Sequence, residues 1–272
     1  MAKLIFDNFG DIYAFTTAIK TRKDNGKASN SSRTGGEDFA GMPLEDAYKA
    51  VTDGLPDAAS RLKRELTRFQ AKAAKAIPQR RPINYYDGHS PNVPAAIIGL
   101  PKSMRKTVKT PSKVKTVTIF YNSSANCNIT AEQLENSGSA VLQLTYWLEL
   151  NGYRVRFMLT PYLADRSGEK AVCNILLKDF RQPLDILKLS FSITSVSMFR
   201  RLGFRWLETV PGLEKIWAGG YGTQIRDKRE ALELLAKTGQ DTTSGYFIMV
   251  NDCINADFDP LKLADALGIK AG

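Results

Sequence analysis

The sequence predicts an α/β protein: a mostly parallel sheet with helices on both faces, preceded by a small helical, basic N-terminal part. Three observations carry this. From about residue 114, strand-like and helix-like patterns interleave, as the crossovers of a parallel sheet require. The first of those strands runs into a polar, uncharged loop, Asn122-Ser-Ser-Ala-Asn126, at the strand end where α/β sheets hold ligands. Residues 61–115 carry fourteen lysines and arginines against two acids, Glu65 and Asp87, an excess larger than the +10 of the whole chain.

The elements follow in order. Residues 3–22 read as a short strand entering a helix, with Asn8 or Asp11 as N-cap. Residues 23–38 are a polar Gly/Ser/Asn stretch expected to be a mobile loop. A helix over 44–52 is entered through Met42-Pro43 and closed by Gly54. The helix over 57–76 has one apolar stripe, Leu62, Leu66, Phe69 and Ala73, and cations around the rest of its circumference. Six of the twelve prolines fall within 78–113, which reads as an ordered but irregular connector whose Tyr85-Tyr86 pair and residues 93–100 are expected to be packed rather than exposed.

Beyond the connector, residues 114–121 form a buried strand. Thr130 and Gln133 predict a capping box for a helix over 131–150, closed at Asn151-Gly152. Strands over 153–159 and 171–180 flank a turn at 165–168. Pro183 opens a helical region with an apolar face of Leu187, Phe191, Ile193, Val196, Phe199 and Leu202. Residues 211–224 read as a Gly-rich loop, 225–237 as a helix, 245–250 as a strand followed by the Asn251-Asp252 loop, and 260–267 as a helix capped by Asp259. The division expected is a helical basic region (1–77), a Pro-rich basic connector (78–113) and an α/β domain (114–272).

Composition excludes several classes. No run of about 18 apolar residues exists, so no membrane span and no membrane partner is expected. The first residues, with acids among the apolar ones, do not resemble a signal peptide. Three widely spaced cysteines and no CxxC pair speak against a disulfide framework or thiolate zinc site and for a reducing cytoplasm.

Catalytic motifs are sparse. There is no GxxxxGK[ST] phosphate loop. The glycine cluster Gly219-Gly220-Tyr-Gly222 reads as a tight loop. His89, the one histidine, sits in the connector without a nucleophile signature. Asp165, Asp179 and Asp252 lie near strand ends, and a pair of them holding magnesium is the basis of a minor reading as a metal-dependent phosphoester enzyme. No cofactor, no metal and no catalytic residue is assigned.

The loop after the first α/β strand resembles the metal-adhesion loop of von Willebrand factor A-like domains, Asp-x-Ser-x-Ser. Asn122 stands at the aspartate, Ser124 keeps the first serine and Asn126 replaces the second. The resemblance implies a von Willebrand factor A-like or Rossmann-like domain with a degenerate cation loop. The aspartate is missing, so Asn122, Ser124 and Asn126 are expected to form a partner or loop site without a metal. Scattered matches, including Phe39-Ala-Gly41, Leu44-Glu-Asp-Ala47, Asp53-Gly54-Leu55 and Tyr86-Asp-Gly88, resemble an uncharacterised family of phage and bacterial proteins. That resemblance implies a viral or prophage origin and no particular activity.

The basic block is the strongest functional signal, because single-stranded nucleic acid is bound by cations that track phosphates and aromatics that stack on bases. The expected contact residues are Arg61, Lys63, Arg64, Arg68, Lys72, Lys75, Arg80, Arg81, Tyr85, Tyr86, Lys102, Arg105, Lys106 and Lys109. The expectation is a non-enzymatic, phage-type accessory protein of the host cytoplasm. It would bind nucleic acid, single-stranded and without sequence preference, in viral transcription or replication, and its α/β domain would dock a polymerase or other viral protein. The alternative is a protein-interaction or assembly module without nucleic acid.

Overall fold

The computed structural model describes residues 3–25, 31–73, 83–106, 115–165, 168–218, 220–225 and 227–269. Its frame is a mixed, mostly parallel seven-stranded sheet flanked by helices. Among the described residues the strands are β1 Leu4–Phe9, β2 Ile83–Tyr85, β3 Ser90–Pro91, β4 Met104–Lys106, β5 Lys115–Asn122, β6 Tyr153–Leu159, β7 Tyr162–Ala164, β8 Lys170–Lys178, β9 Thr223–Gln224 and β10 Gly245–Met249. In the large sheet β5 lies between β10 and β6, both parallel to it. β8 folds back antiparallel on β6 and then on β7, which continues the line of β6 past Pro161. β1 pairs parallel with β8, and β9 pairs antiparallel with β7.

Alternation along β5 divides the core. Ile119 and Tyr121 face a thick helical layer, while Phe120 faces the helix Lys228–Lys237 through Leu234 and Leu235. The thick layer is organised by the helix Ala131–Leu150. Thr130 and Gln133 cap it reciprocally, as their spacing predicts. Val141, Leu142, Leu144 and Leu148 are all buried, and so are Leu134, Ala140 and Trp147 on other sides of the same helix. Helices Pro56–Ala73, Ile186–Thr194, Val250–Asn255 and Pro260–Ala266 pack over it. Gly138 marks the crossing with Ile186–Thr194: a Cβ there would stand 2.0 Å from the Ile193 carbonyl oxygen.

β1 enters the same sheet as β8, and the helix Ile12–Thr21, capped by Asp11, buries Phe15 and Ile19 in the same core. Leu62, Leu66 and Phe69 seat the helix Pro56–Ala73, whereas Lys63, Arg64 and Arg68 stay on its exposed side.

Several sequence expectations need correction. Within the 23–38 stretch, Ser31–Thr34 and Glu37–Ala40 are helical turns, because buried Glu208 accepts the Ser32 N–H at 3.0 Å and its hydroxyl. Within the connector, 83–106 is a regular three-stranded antiparallel sheet in the order β2-β4-β3, with a short helix Val93–Ile97. Gly88 permits it, since a Cβ would meet the Arg105 carbonyl oxygen at 2.2 Å. Of the connector residues expected to pack, Ala95 is buried, whereas Tyr85, Tyr86, Val93, Ile97, Ile98 and Leu100 are exposed. Leu187 is likewise outside the apolar face of its helix. The 211–224 stretch contains the helix Glu214–Ala218 and β9, and the Asn251-Asp252 segment is helical within Val250–Asn255. A π-helix, Met198–Gly203, joins Ile186–Thr194 to Phe204–Thr209 and buries Phe199 and Leu202.

Two substitutions probe the central helix. Leu144→Ala is expected to cost about 2–5 kcal/mol by chemical denaturation, the range for emptying a fully buried leucine site. Gly138→Ala is expected to cost about 1–3 kcal/mol, since the neighbouring backbone must move aside. A change near zero at either position places the helix in the wrong register.

Candidate nucleic-acid interface and strand-end cleft

Two surfaces stand out. The first is the small sheet of residues 83–106. Tyr86 is 64% exposed, and its ring lies 5.8 Å from that of Tyr85 in an edge arrangement. Lys102 Nζ stands 5.5 Å from the Tyr86 ring centre, and Lys106 Nζ stands 4.9 Å from that of Tyr85. Arg105 on β4 is exposed. Asp87 answers these cations: it accepts from Lys106 at 2.6 Å, and that lysine holds the Asp87 carboxyl below the usual carboxylate range. Asn92 donates to Asn84 at 3.0 Å and ties the loop to β2.

The remaining basic residues divide. Lys63, Arg64 and Arg68 are exposed on the outer side of Pro56–Ala73, and Lys72 lies in its last turn. Arg61 turns inward, 2.7 Å from Glu135 and 3.4 Å from Glu65, and pins this helix to Ala131–Leu150. Its charge is spent inside the protein. Lys75, Arg80, Arg81 and Lys109 lie outside the described residues.

The second surface is a cleft of about 670 Å³ at the carboxyl ends of β5 and β10. The chain leaves β5 toward β6 on one side and reaches β10 on the other, so the strand order reverses here, as at ligand crevices of open α/β sheets. The loop after β5 forms one wall. Buried Asn122 is wholly engaged: its carboxamide oxygen accepts the Ser124 N–H at 3.0 Å, the Ser124 hydroxyl at 2.5 Å and the Tyr162 N–H at 3.3 Å. Its amide group donates to the Tyr162 carbonyl at 3.4 Å. Ser124 and Asn126 both line the cleft, and of the three residues only Asn126 is exposed. This triplet does not fit a divalent cation, because it offers no carboxylate and its best oxygen already accepts three hydrogens. The loop is an internal clasp between β5 and β7.

The opposite wall is aromatic. Phe204 and Tyr221 stack with ring centres 3.9 Å apart, and Phe39 lies 6.3 Å from Phe204. Tyr221 has φ 65°, flanked by Gly220 and Gly222, which are also in the left-handed region. That conformation costs a non-glycine residue on the order of 1–3 kcal/mol. The stack and a 2.6 Å bond from its hydroxyl to buried Glu208 hold it. The glycine cluster visible in the sequence thus sets an aromatic at the cleft. The residue that sequence reasoning missed is Arg200, which lines the cleft at 8% exposure. It donates to the Phe39 carbonyl at 2.8 Å and the Ile129 carbonyl at 3.3 Å, and its guanidinium lies 4.3 Å from the Phe39 ring centre. Burial pulls its pKa below the ordinary arginine value. Its one signal in the sequence is a charged pair, Arg200-Arg201, set inside an apolar helical face.

The acids near strand ends are engaged separately. Asp252 bonds Lys228 at 2.7 Å, Asp179 bonds Arg156 at 2.9 Å, and Asp165 accepts the Glu169 N–H at 2.7 Å. Among the described residues, no group of three or more His, Cys, Asp or Glu side chains is placed to hold a metal ion. Nor is any helix among them long and apolar enough to cross a membrane.

The mixed, mostly parallel sheet flanked by helices, with a cleft at its strand ends, places the protein in the α/β class. The chain belongs to the family described as Domain of unknown function (DUF7192), whose model matches residues 2–262. No curated protein and no solved structure matches it.

Asn122→Ala is expected to cost about 1–3 kcal/mol in chemical denaturation, the desolvation penalty of buried donors left without an acceptor. Magnesium, manganese and calcium are expected to leave the thermal midpoint without any saturable shift. A millimolar or tighter response to any of them refutes a metal-free loop.

Proposed function

We propose that this protein binds single-stranded nucleic acid without sequence preference, through the small sheet of residues 83–106 and the outer side of the helix Pro56–Ala73. The observation that carries the reading is the pairing of exposed tyrosines with cations on one element: Tyr85 and Tyr86 beside Lys102, Arg105 and Lys106. Bases stack on such rings while phosphates meet the cations, and neither contact selects sequence. Lys63, Arg64 and Arg68 add exposed cations on the helix Pro56–Ala73. The role is non-enzymatic, that of a phage-type accessory protein in viral transcription or replication within the host cytoplasm. The α/β part, of von Willebrand factor A-like type with a degenerate metal loop, docks a polymerase or other viral protein.

A specific observation favours a second reading, a protein-interaction module without nucleic acid. Val93, Ile97, Ile98 and Leu100 are exposed on the short helix Val93–Ile97 and the turn after it, with Ile97 at 79%, and exposed apolar residues so near one another in the chain mark docking surfaces.

Fluorescence anisotropy with unrelated single-stranded oligonucleotides across a salt series separates the two. Replacing Lys63, Arg64, Arg68, Lys102 and Arg105 with Ala is expected to weaken binding of every sequence alike. The log-log salt slope should become shallower by about 0.7 for each phosphate that the variant no longer neutralises. Tyr86→Ala is expected to cost about 1–3 kcal/mol of affinity at unchanged slope. A folded basic variant that binds like the parent, or no binding by the parent at low salt, refutes the nucleic-acid reading and leaves the docking surface.

A further inference from the structure

The cleft at the ends of β5 and β10 stands apart from that surface and is built for a different ligand. Its central charge is Arg200, buried without a carboxylate within 4 Å among the described residues. A buried cation whose acceptors are two backbone carbonyls is costly, and the cost is offset when an anion completes its shell. Among the described residues, the other charged side chain lining the cleft is Asp252, which is paired with Lys228. Among the described residues the lining therefore carries one cation without a carboxylate partner, Arg200, with guanidinium N–H groups that no atom of those residues accepts.

The rest of the lining specifies what the anion is attached to. Phe39, Phe204 and Tyr221 line one side with apolar ring surface, Phe39 exposed and the mutually stacked Phe204 and Tyr221 largely buried behind it. Asn126, Asn251 and Asn255 border the space with side chains that both donate and accept. The volume lies in the range of small-molecule sites, roughly 300–1,000 Å³.

We infer that this cleft binds a free nucleotide: a phosphate monoester held by Arg200, with a flat ring against the Phe39–Phe204–Tyr221 wall and its polar edge read by the asparagine amides. Arginine suits the phosphate because its planar fork matches two oxygens at once. The ring and the phosphate are both required, because each wall satisfies only one of them.

The test is calorimetric titration of the full chain with the four common nucleoside monophosphates, and separately with adenosine and inorganic phosphate. At least one nucleotide is expected to saturate with a Kd below about 1 mM, with nucleoside and phosphate each weaker by about tenfold or more. Cys127 provides an independent readout, since it lines the cleft and is exposed while Cys173 and Cys253 are buried. Bound nucleotide should slow its reaction with a thiol reagent. Arg200→Lys keeps the charge and loses the fork. Because Arg200 also braces two backbone carbonyls, the folded control is Asn126→Asp, an exposed position on the lining where a new carboxylate opposes an anionic ligand. It is expected to weaken nucleotide binding by about fivefold or more while oligonucleotide affinity stays unchanged.

Four results overturn the proposal. One is the absence of saturation by any nucleotide. The second is binding that neither protects Cys127 nor responds to Asn126→Asp. The third is inorganic phosphate binding as tightly as the nucleotides. The fourth is a parallel loss of oligonucleotide affinity in Asn126→Asp, which would give the cleft to a strand end instead.

Discussion

The fold depends on one constraint: the helix Ala131–Leu150 must be covered on nearly every side. It lies between the sheet and an outer helical layer, so its sequence is apolar around most of its circumference rather than along one stripe. Gly138 lets Ile186–Thr194 approach to backbone contact, and the Arg61 ion pairs fasten Pro56–Ala73 from the other direction. Two parts of the cleft are reached from this helix. Its N-terminal loop supplies Ser124, Asn126 and Cys127, and the chain leaving Ile186–Thr194 winds through the π-helix to place Arg200. A π-turn adds a residue to a helical stretch and so re-aims the side chains that follow, a local irregularity that recurs at functional sites.

Charge in this protein is sorted by purpose. The cations of Pro56–Ala73 and of the small sheet lie outside, with few acids near them. Those of the core are neutralised or bonded to carbonyls: Lys178 reaches Glu149 at 2.7 Å and the Val155 carbonyl at 2.9 Å, and Arg205 pairs with Asp24. Arg61 belongs to the second group although its neighbours in sequence belong to the first. An i, i+4 glutamate at Glu65 and a second carboxylate across the interface decide the difference.

Where local chemistry dominates, the sequence was legible. The Thr130–Gln133 box, the Asp259 cap and the Leu62–Leu66–Phe69 stripe all stand where their spacing puts them, and of the two N-caps the sequence allows, Asn8 and Asp11, the helix uses Asp11. What was illegible depends on distant partners. The strands of the small sheet are two or three residues long and contain Pro91, so proline content masked them; the proline is tolerated because β3 is an edge. The turns at 31–40 follow from Glu208, more than 160 residues away in sequence. The candidate cleft was half visible. Its β5 loop and its glycine cluster could be singled out, but their meeting around Arg200 follows from topology alone.

The placement of β1 carries a consequence for how the chain reaches its native state. Leu4 pairs with Lys170 and Phe9 with Ile175, while β5 must wait for β10, with Thr118 opposite Gly245. These pairings close long loops before burial rewards them, which raises contact order and slows folding. Until β8 is available, Phe6 and its neighbours remain an unpaired apolar strand, and even in the finished sheet Phe6 is 42% exposed on an edge. Asp7, bonded to Arg22 at 2.6 Å and to the Trp206 indole at 2.8 Å, sets a charge in the middle of that strand. Such a charge acts as a gatekeeper, disfavouring edge-to-edge association during the slow search while serving as an anchor once the search is over.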